Sequence, residues 1–163
     1  MTARGDELAS KIEACVNTLA LTLERLDDRA WRHRCAAEGW PIGLVAYHIG
    51  RGFDRQAGWI DDMLRGAAPH RFSWTETHEL NASVAAAHGP AKDETVRFLR
   101  EQSGRLCTLA RTMTDQQLDT VAALFNQREG TASYVIGRVA LGHIEGHGTS
   151  IRAELDSLTK PKS

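Results

Sequence analysis

The chain is poor in several things, and each shortage closes off a class of function. It has three cysteines among 163 residues, Cys15, Cys35 and Cys107. They are odd in number, widely spaced and never in a CxxC pair, so neither a disulfide framework nor a zinc knuckle is expected. Cys15 and Cys107 sit among apolar residues at helical spacing and are expected to pack as small hydrophobes. Charge of one sign is missing too. Twenty Lys and Arg nearly cancel 21 Asp and Glu, for a net charge of −1, and no basic cluster stands out that would line a nucleic-acid groove. No apolar run is long enough to span a bilayer, and no charged-then-apolar leader opens the chain, so a cytoplasmic protein off the membrane is expected. Strand signals are nearly absent: no alternating β-branched run is flanked by hairpin turns.

What is present is helical periodicity. Hydrophobic residues make up 42% of the chain, and a chain of this length typically buries roughly 68–70% of its unfolded surface, so one domain over residues 1–163 can hold a core without staples. From Glu7 to Leu26, Leu8, Ile12, Cys15, Leu19, Leu23 and Leu26 recur three and four apart. After a polar stretch to Gly39, Trp40-Pro41 restarts the chain, and Ile42 to Leu64 is again periodic, with Pro suited to the first turn. Ser73-Trp-Thr-Glu76 has capping-box form and opens a shorter helix to about His88. Gly89-Pro90 breaks it. Lys92 to Met113 forms a third long helix, Thr114 to Gln117 caps a short one, and residues 126–130 are expected to loop. Thr131 or Ser133 then caps a last helix to about Leu158. Four long helices with short connecting pieces predict an all-α four-helix bundle.

The last helix carries the sharpest chemical signal. Its apolar stripe runs Ile136, Ala140, His143, His147, Ile151, Leu155, Leu158, so two histidines stand where the pattern calls for apolar side chains. Four residues apart, their rings project from one face about 6 Å apart along the axis. HxxxH alone is a weak signal, but burying two imidazoles without compensation is costly. A third, His48, lies midway along the second helix on the line Val45, His48, Gly52, Gln56, Trp59. Three imidazoles with a coordination position left open is the donor set of a catalytic metal site. It suits a divalent transition metal, zinc or nickel first, iron or copper next. The alternative is that each is a satisfied core histidine, bonded to backbone, Tyr47 or Tyr134. His33, His70 and His78 are expected on the surface, while His88 is kept as a pocket candidate. The order His143-Ile-Glu-Gly-His147 is not HExxH: Glu145 lies about 200° around the helix from His143, so a zincin-type protease is not expected.

Glycines add one expectation. Gly137, Gly142, Gly146 and Gly148 fall inside the last helix and Gly50 and Gly52 inside the second, each costing roughly 0.8–1 kcal/mol against Ala. Gly52 and Gly146, beside the histidines, are expected to clear space for a ligand or let helices approach closely.

Gly39-Trp40-Pro41-Ile42, then Val45-Ala46-Tyr47-His48-Ile49, and the late Gly142-His143-Ile144-Glu145-Gly146-His147 together resemble the DinB/YfiT-like superfamily, from the first helix to Leu155. The resemblance implies a four-helix bundle with metal-ligating histidines at His48, His143 and His147. It also implies a relation to thiol transferases using bacillithiol or mycothiol, to the mycothiol-dependent maleylpyruvate isomerase and to the bundle domain of ergothioneine-forming enzymes. Several such proteins are homodimers, which is expected here. The segment Trp74 to His88, with Glu79-Leu80-Asn81, is similar to the mycothiol-linked branch.

The reading that follows is a metal-dependent transferase joining a low-molecular-weight thiol to a small electrophile, with the metal lowering the thiol pKa. Gly52, Arg55, Trp59, Asn81 and His88 are the expected small-molecule contacts. Arg51 or Arg152 can also bind carboxylates, and Trp40 can wall the pocket. The alternatives are a metal-dependent hydrolase, for which Asp54 is the nearest carboxylate on the second helix though on a poor face, and a non-enzymic metal- or small-molecule-binding protein.

Overall fold

Thr2 starts the first helix by accepting a hydrogen bond from the Gly5 amide, and the chain stays helical until Glu24. The computed structural model describes residues 2–67, 74–86, 89–124 and 129–159. Its elements in order are α1 (Ala3–Glu24), α2 (Asp28–Trp31), α3 (Ile42–Leu64), α4 (Trp74–Ala86), α5 (Lys92–Thr112) and α6 (Asp115–Leu118). A strand pair follows, β1 (Val121–Ala123) and β2 (Glu129–Thr131), and then α7 (Ala132–Tyr134), a π-helical stretch Val135–Ala140, and α8 (Leu141–Thr159). Predicted α3 and α5 agree with the observed helices to within a residue, because Pro41 starts the one and Gly89-Pro90 precedes the other. Thr114 and Gln117 form the expected reciprocal capping box. Thr131, rather than Ser133, caps the last helix by accepting from the Tyr134 amide. Ser73 and His88, the expected ends of the short helix, lie outside the described residues, and so does His70.

The long helices form a bundle. α5 packs against both α1 and α3, and α8 closes the other side against the same two, giving the ring order α1, α5, α3, α8. Their apolar faces meet in one buried cluster containing Ile12, Leu19, Ile49, Phe53, Leu99, Leu106, Ile136 and Ile151. Gly50 permits the close approach of α3 to α5: a Cβ there would stand 2.8 Å from the Phe98 ring. Among the described residues, no helix is long and apolar enough to cross a membrane.

Two expectations about the last third of the chain are corrected. Glu129 and Gly130, read as loop, form with Thr131 a strand paired antiparallel with 121–123, and the register puts Val121 opposite Thr131. Three residues per strand are too few for an alternating pattern to register in the sequence. The stripe of the last helix is also displaced. Ile136, Ala140, Ile144, Gly148 and Ile151 are buried, whereas Leu158 is 37% exposed and His143 and His147 are half-buried. The histidines border the core instead of filling it. The π-helical stretch, with i→i+5 bonding, lies just before them, and such widened turns frequently occur at functional sites.

Candidate metal centre

His48 comes from the middle of α3, and His143 and His147 from consecutive turns of α8. Helix packing alone brings them together: the ring centroids are 4.9 Å apart for His48 and His143, 5.2 Å for His48 and His147, and 4.7 Å for His143 and His147. One nitrogen of each ring lies within 4.8 Å of the others. The Nε2 atoms of His48 and His143 are 3.0 Å apart. Two nitrogens sharing one ion at about 2.1 Å would be separated by about 3.0 Å at a right angle and about 3.4 Å at a tetrahedral one, so the spacing lies at the near edge of what ligation requires. Burial first, and then the neighbouring imidazole His147, push His48 down to about 4. Burial and then His48 push His143 down to about 3. Both rings are therefore neutral at pH 7, which is the ligating form.

Gly52 serves the second of its two expected tasks, close approach between helices. A Cβ at this position would stand 2.6 Å from Cε1 and Nδ1 of His143, so the missing side chain admits a ligand ring of the facing helix. Gly146 faces open space: beyond its own stretch of helix, no heavy atom lies within 4 Å of where its Cβ would be.

The outer partners of the histidines come from segments the periodicity did not single out. His147 Nδ1 lies 2.9 Å from Glu38 Oε1, leaving Nε2 for the common centre. A carboxylate on the far nitrogen fixes tautomer and ring orientation. Glu38 sits on the connection between α2 and α3, which is built to hold it there. Arg34 and Pro41 form a β-bridge, Gly39 turns with φ 69°, and the Ala36 amide donates to Glu154 on α8 at 2.8 Å. His33, expected on the surface, bonds the other oxygen of Glu154 at 3.3 Å. The connection is thus fastened to the helix that bears His147. Asn81, on α4 and 2% exposed, places its amide 3.4 Å from His48 Nδ1, making it a neighbour of the ligand. The tyrosines offered as alternative partners do not serve: Tyr47 stacks on Phe98 and Tyr134 is 47% exposed.

A cavity of about 380 Å³ opens over the three rings, a size typical of small-molecule sites. Of the expected contacts, Gly52, Arg55 and Trp59 line it, and Arg51 and Trp40 do as well. His78, expected on the surface, also lines it, with its ring 6.3 Å from that of Trp40. Arg152 lies elsewhere, bonded to Thr149, and His88 is outside the described residues. Asp54 turns away to Arg105 at 3.3 Å. Burial first, and then the neighbouring Arg51, lower the pKa of Arg55, whose guanidinium donates to Thr77 at 3.3 Å. Among the described residues, three buried side-chain atoms lack any hydrogen-bond partner: Glu38 Oε2, Arg51 Nε and Gln56 Oε1. Each would ordinarily cost about 1–3 kcal/mol, more for the charged groups, and all three residues line this one cavity.

A family model for the DinB superfamily matches residues 11–150, most of the chain and all three histidines. The chain belongs to the DinB superfamily. Solved structures carry the same DinB fold at low identity. The mycothiol-dependent maleylpyruvate isomerase superposes with TM-score 0.76 at 14% identity, covering 93% of this chain and 63% of its own. YfiT from Bacillus subtilis, described as "a probable metal-dependent hydrolase with an unusual four-helix bundle topology", superposes with TM-score 0.74 at 19% identity, covering 96% and 90%. The sibling lethal factor precursor DfsB superposes with TM-score 0.70 at 19% identity, covering 99% and 100%. This DinB chain thus spans under two thirds of the isomerase. No curated protein sequence matches it.

Proposed function

We propose that this chain is a metal-dependent enzyme acting on a small molecule, with His48, His143 and His147 holding one divalent transition ion. The observation that carries the reading is the convergence of three imidazole nitrogens within 4.8 Å on the wall of a cavity. An all-imidazole set favours zinc or nickel, then iron or copper. When bound, such an ion supplies Lewis acidity and lowers the pKa of a thiol or water beside it.

The reaction we propose is the joining of an external low-molecular-weight thiol to a small electrophile. The thiol has to come from outside. Cys35 and Cys107 are buried, and burial pushes their thiols up to about 12 and about 11, while Cys15 opens on a separate recess with Glu145 and Arg152. The likeness to a mycothiol-dependent isomerase supports the same reading. The protein's own part is to orient the ligand rings through Glu38 and Asn81, to keep His48 and His143 neutral by burial, and to wall the cavity with Trp40 and Trp59, limiting water.

Hydrolysis is the second reading, and Glu38 favours it. Its Oε2 is buried and unpartnered, and Glu38 is the one carboxylate among the described residues that line the cavity, with its other oxygen behind His147 on the far ring nitrogen. The likeness to YfiT points the same way.

The test is elemental analysis of wild type beside His48→Ala and His147→Ala, followed by titration of the cobalt-substituted protein with thiols. One metal per chain in wild type, and loss in both variants, is expected; equal content in all three overturns the site. A thiol-induced change in the cobalt spectrum supports the transferase. Metal with ester or amide hydrolysis and no thiol response supports the hydrolase instead, and metal with neither leaves a binding protein.

A further inference from the structure

We infer that the cavity over the histidines takes a small carboxylate-bearing molecule, with the carboxylate on Arg51 and Arg55 and a ligand N–H or O–H on Gln56. This deepens the reading above and rests on it only for what occupies the histidine end.

The placement follows from α3. Arg51, Arg55 and Gln56 come three, seven and eight residues after His48. At ~100° and ~1.5 Å per residue they lie within about 60°, 20° and 80° of its direction and about 4.5, 10.5 and 12 Å further along the axis. One helix face therefore carries an imidazole, two guanidiniums and an amide, and all four line one cavity. Two cations on consecutive turns repel each other unless negative charge lies between them. Arg55 already bonds Thr77 and is offset by Glu76 and Asp54, so the weight falls on the other two. Arg51 Nε is a buried donor without an acceptor. Gln56, only 4% exposed, has a buried Oε1 without a donor. Glu38, the one carboxylate among the described lining residues, has one oxygen on His147 and the other buried without a partner. A buried guanidinium donor without an acceptor, a second cation one turn on, and an unmet amide oxygen beside them describe a ligand with an anionic oxygen pair and a nearby N–H or O–H.

Two ligand pairs test this by calorimetry on the metal-loaded protein: N-acetylcysteine against N-acetylcysteinamide, and N-acetylalanine against N-acetylalaninamide. Within a pair only the carboxylate charge differs. The carboxylate should bind about tenfold or more tightly than its amide in both pairs, as expected for a charge-assisted contact. Arg51→Gln should remove most of that preference and leave amide binding unchanged, while Arg51→Lys, which keeps the charge, should retain part of it. The preference should also persist in metal-free protein. Equal affinities within both pairs overturn the inference, as does failure of either carboxylate to bind at millimolar concentration. A preference that survives Arg51→Gln and Arg55→Gln overturns it too, because the carboxylate then goes to the metal. If the alanine pair shows the preference and the thiol adds nothing, the inference stands and the thiol reading fails. Thiol-dependent binding blind to charge gives the reverse.

Discussion

Glu38 Oε1 stands 2.9 Å from Nδ1 of His147, across a connection that is itself tied to the same helix through Glu154. The carboxylate holds the ring with Nε2 turned toward His48 and His143. Glu38→Gln should lower metal affinity by about 10- to 100-fold, the usual cost of losing such a partner. A competition titration against a chelator measures it, with circular dichroism showing the helices intact. Unchanged affinity would remove Glu38 from the metal's surroundings.

Two glycines near the histidines should respond in opposite ways. Gly52→Ala puts a methyl 2.6 Å from the His143 ring, so metal affinity should fall sharply. Gly146→Ala meets nothing within 4 Å and should stabilise the last helix by about 0.5–1 kcal/mol. Metal titration and thermal melts of the pair decide this, and similar behaviour of the two variants would contradict the geometry.

The metal-free protein should be acid-sensitive for a reason specific to these rings. In the unfolded chain a histidine takes up a proton near pH 6.5, whereas His48 and His143 in the fold do so only near about 4 and about 3. The folded state thus binds fewer protons between those values, and stability falls as pH drops from about 6.5 toward 3. Melts of wild type and His143→Leu across this range should show the variant gaining on wild type as acid is added. Parallel curves would sink the prediction.

Native protein should resist thiol reagents at two of its three cysteines. Cys35 and Cys107 are buried with raised pKa values, so at pH 8 labelling should reach Cys15 first, though slowly because its own pKa is raised as well. Mass spectrometry of a timed alkylation reads the order. Rapid labelling of Cys35 would reopen the case for a nucleophile within the chain.

His48, His143 and His147 were legible in the sequence because a helix converts spacing into direction: rings four apart share a face, although that face borders the core where the apolar stripe had placed it inside. The bundle itself was legible for the same reason. Glu38 was not, because its position depends on a β-bridge, a left-handed glycine and a hydrogen bond to a residue more than a hundred positions away. His78 was read as surface because α4 has little apolar contrast between its faces, and the cavity it lines exists only after α3 and α8 have met. Gly52 was rightly marked as a position that needs no side chain, but the neighbour requiring the room turned out to be His143. The short strand pair and the π-helical stretch left no mark in the sequence, since three-residue strands cannot alternate and a shift of backbone bonding changes no residue type.

The widened turn at Val135–Ala140 fixes the rotational phase between the two ends of the last helix. At its start, Val135 and Ile136 are seated in the core; downstream, Ile144 and Ile151 are, with the imidazoles at the margin. Were that stretch to become ordinary α-helix with all its residues kept, every side chain beyond it would swing by about 100°. Seating the oily residues and aiming the imidazoles would then become mutually exclusive. The loop in the backbone ladder works as a phase adjuster, allowing one rigid rod to serve the interior and the reactive wall together.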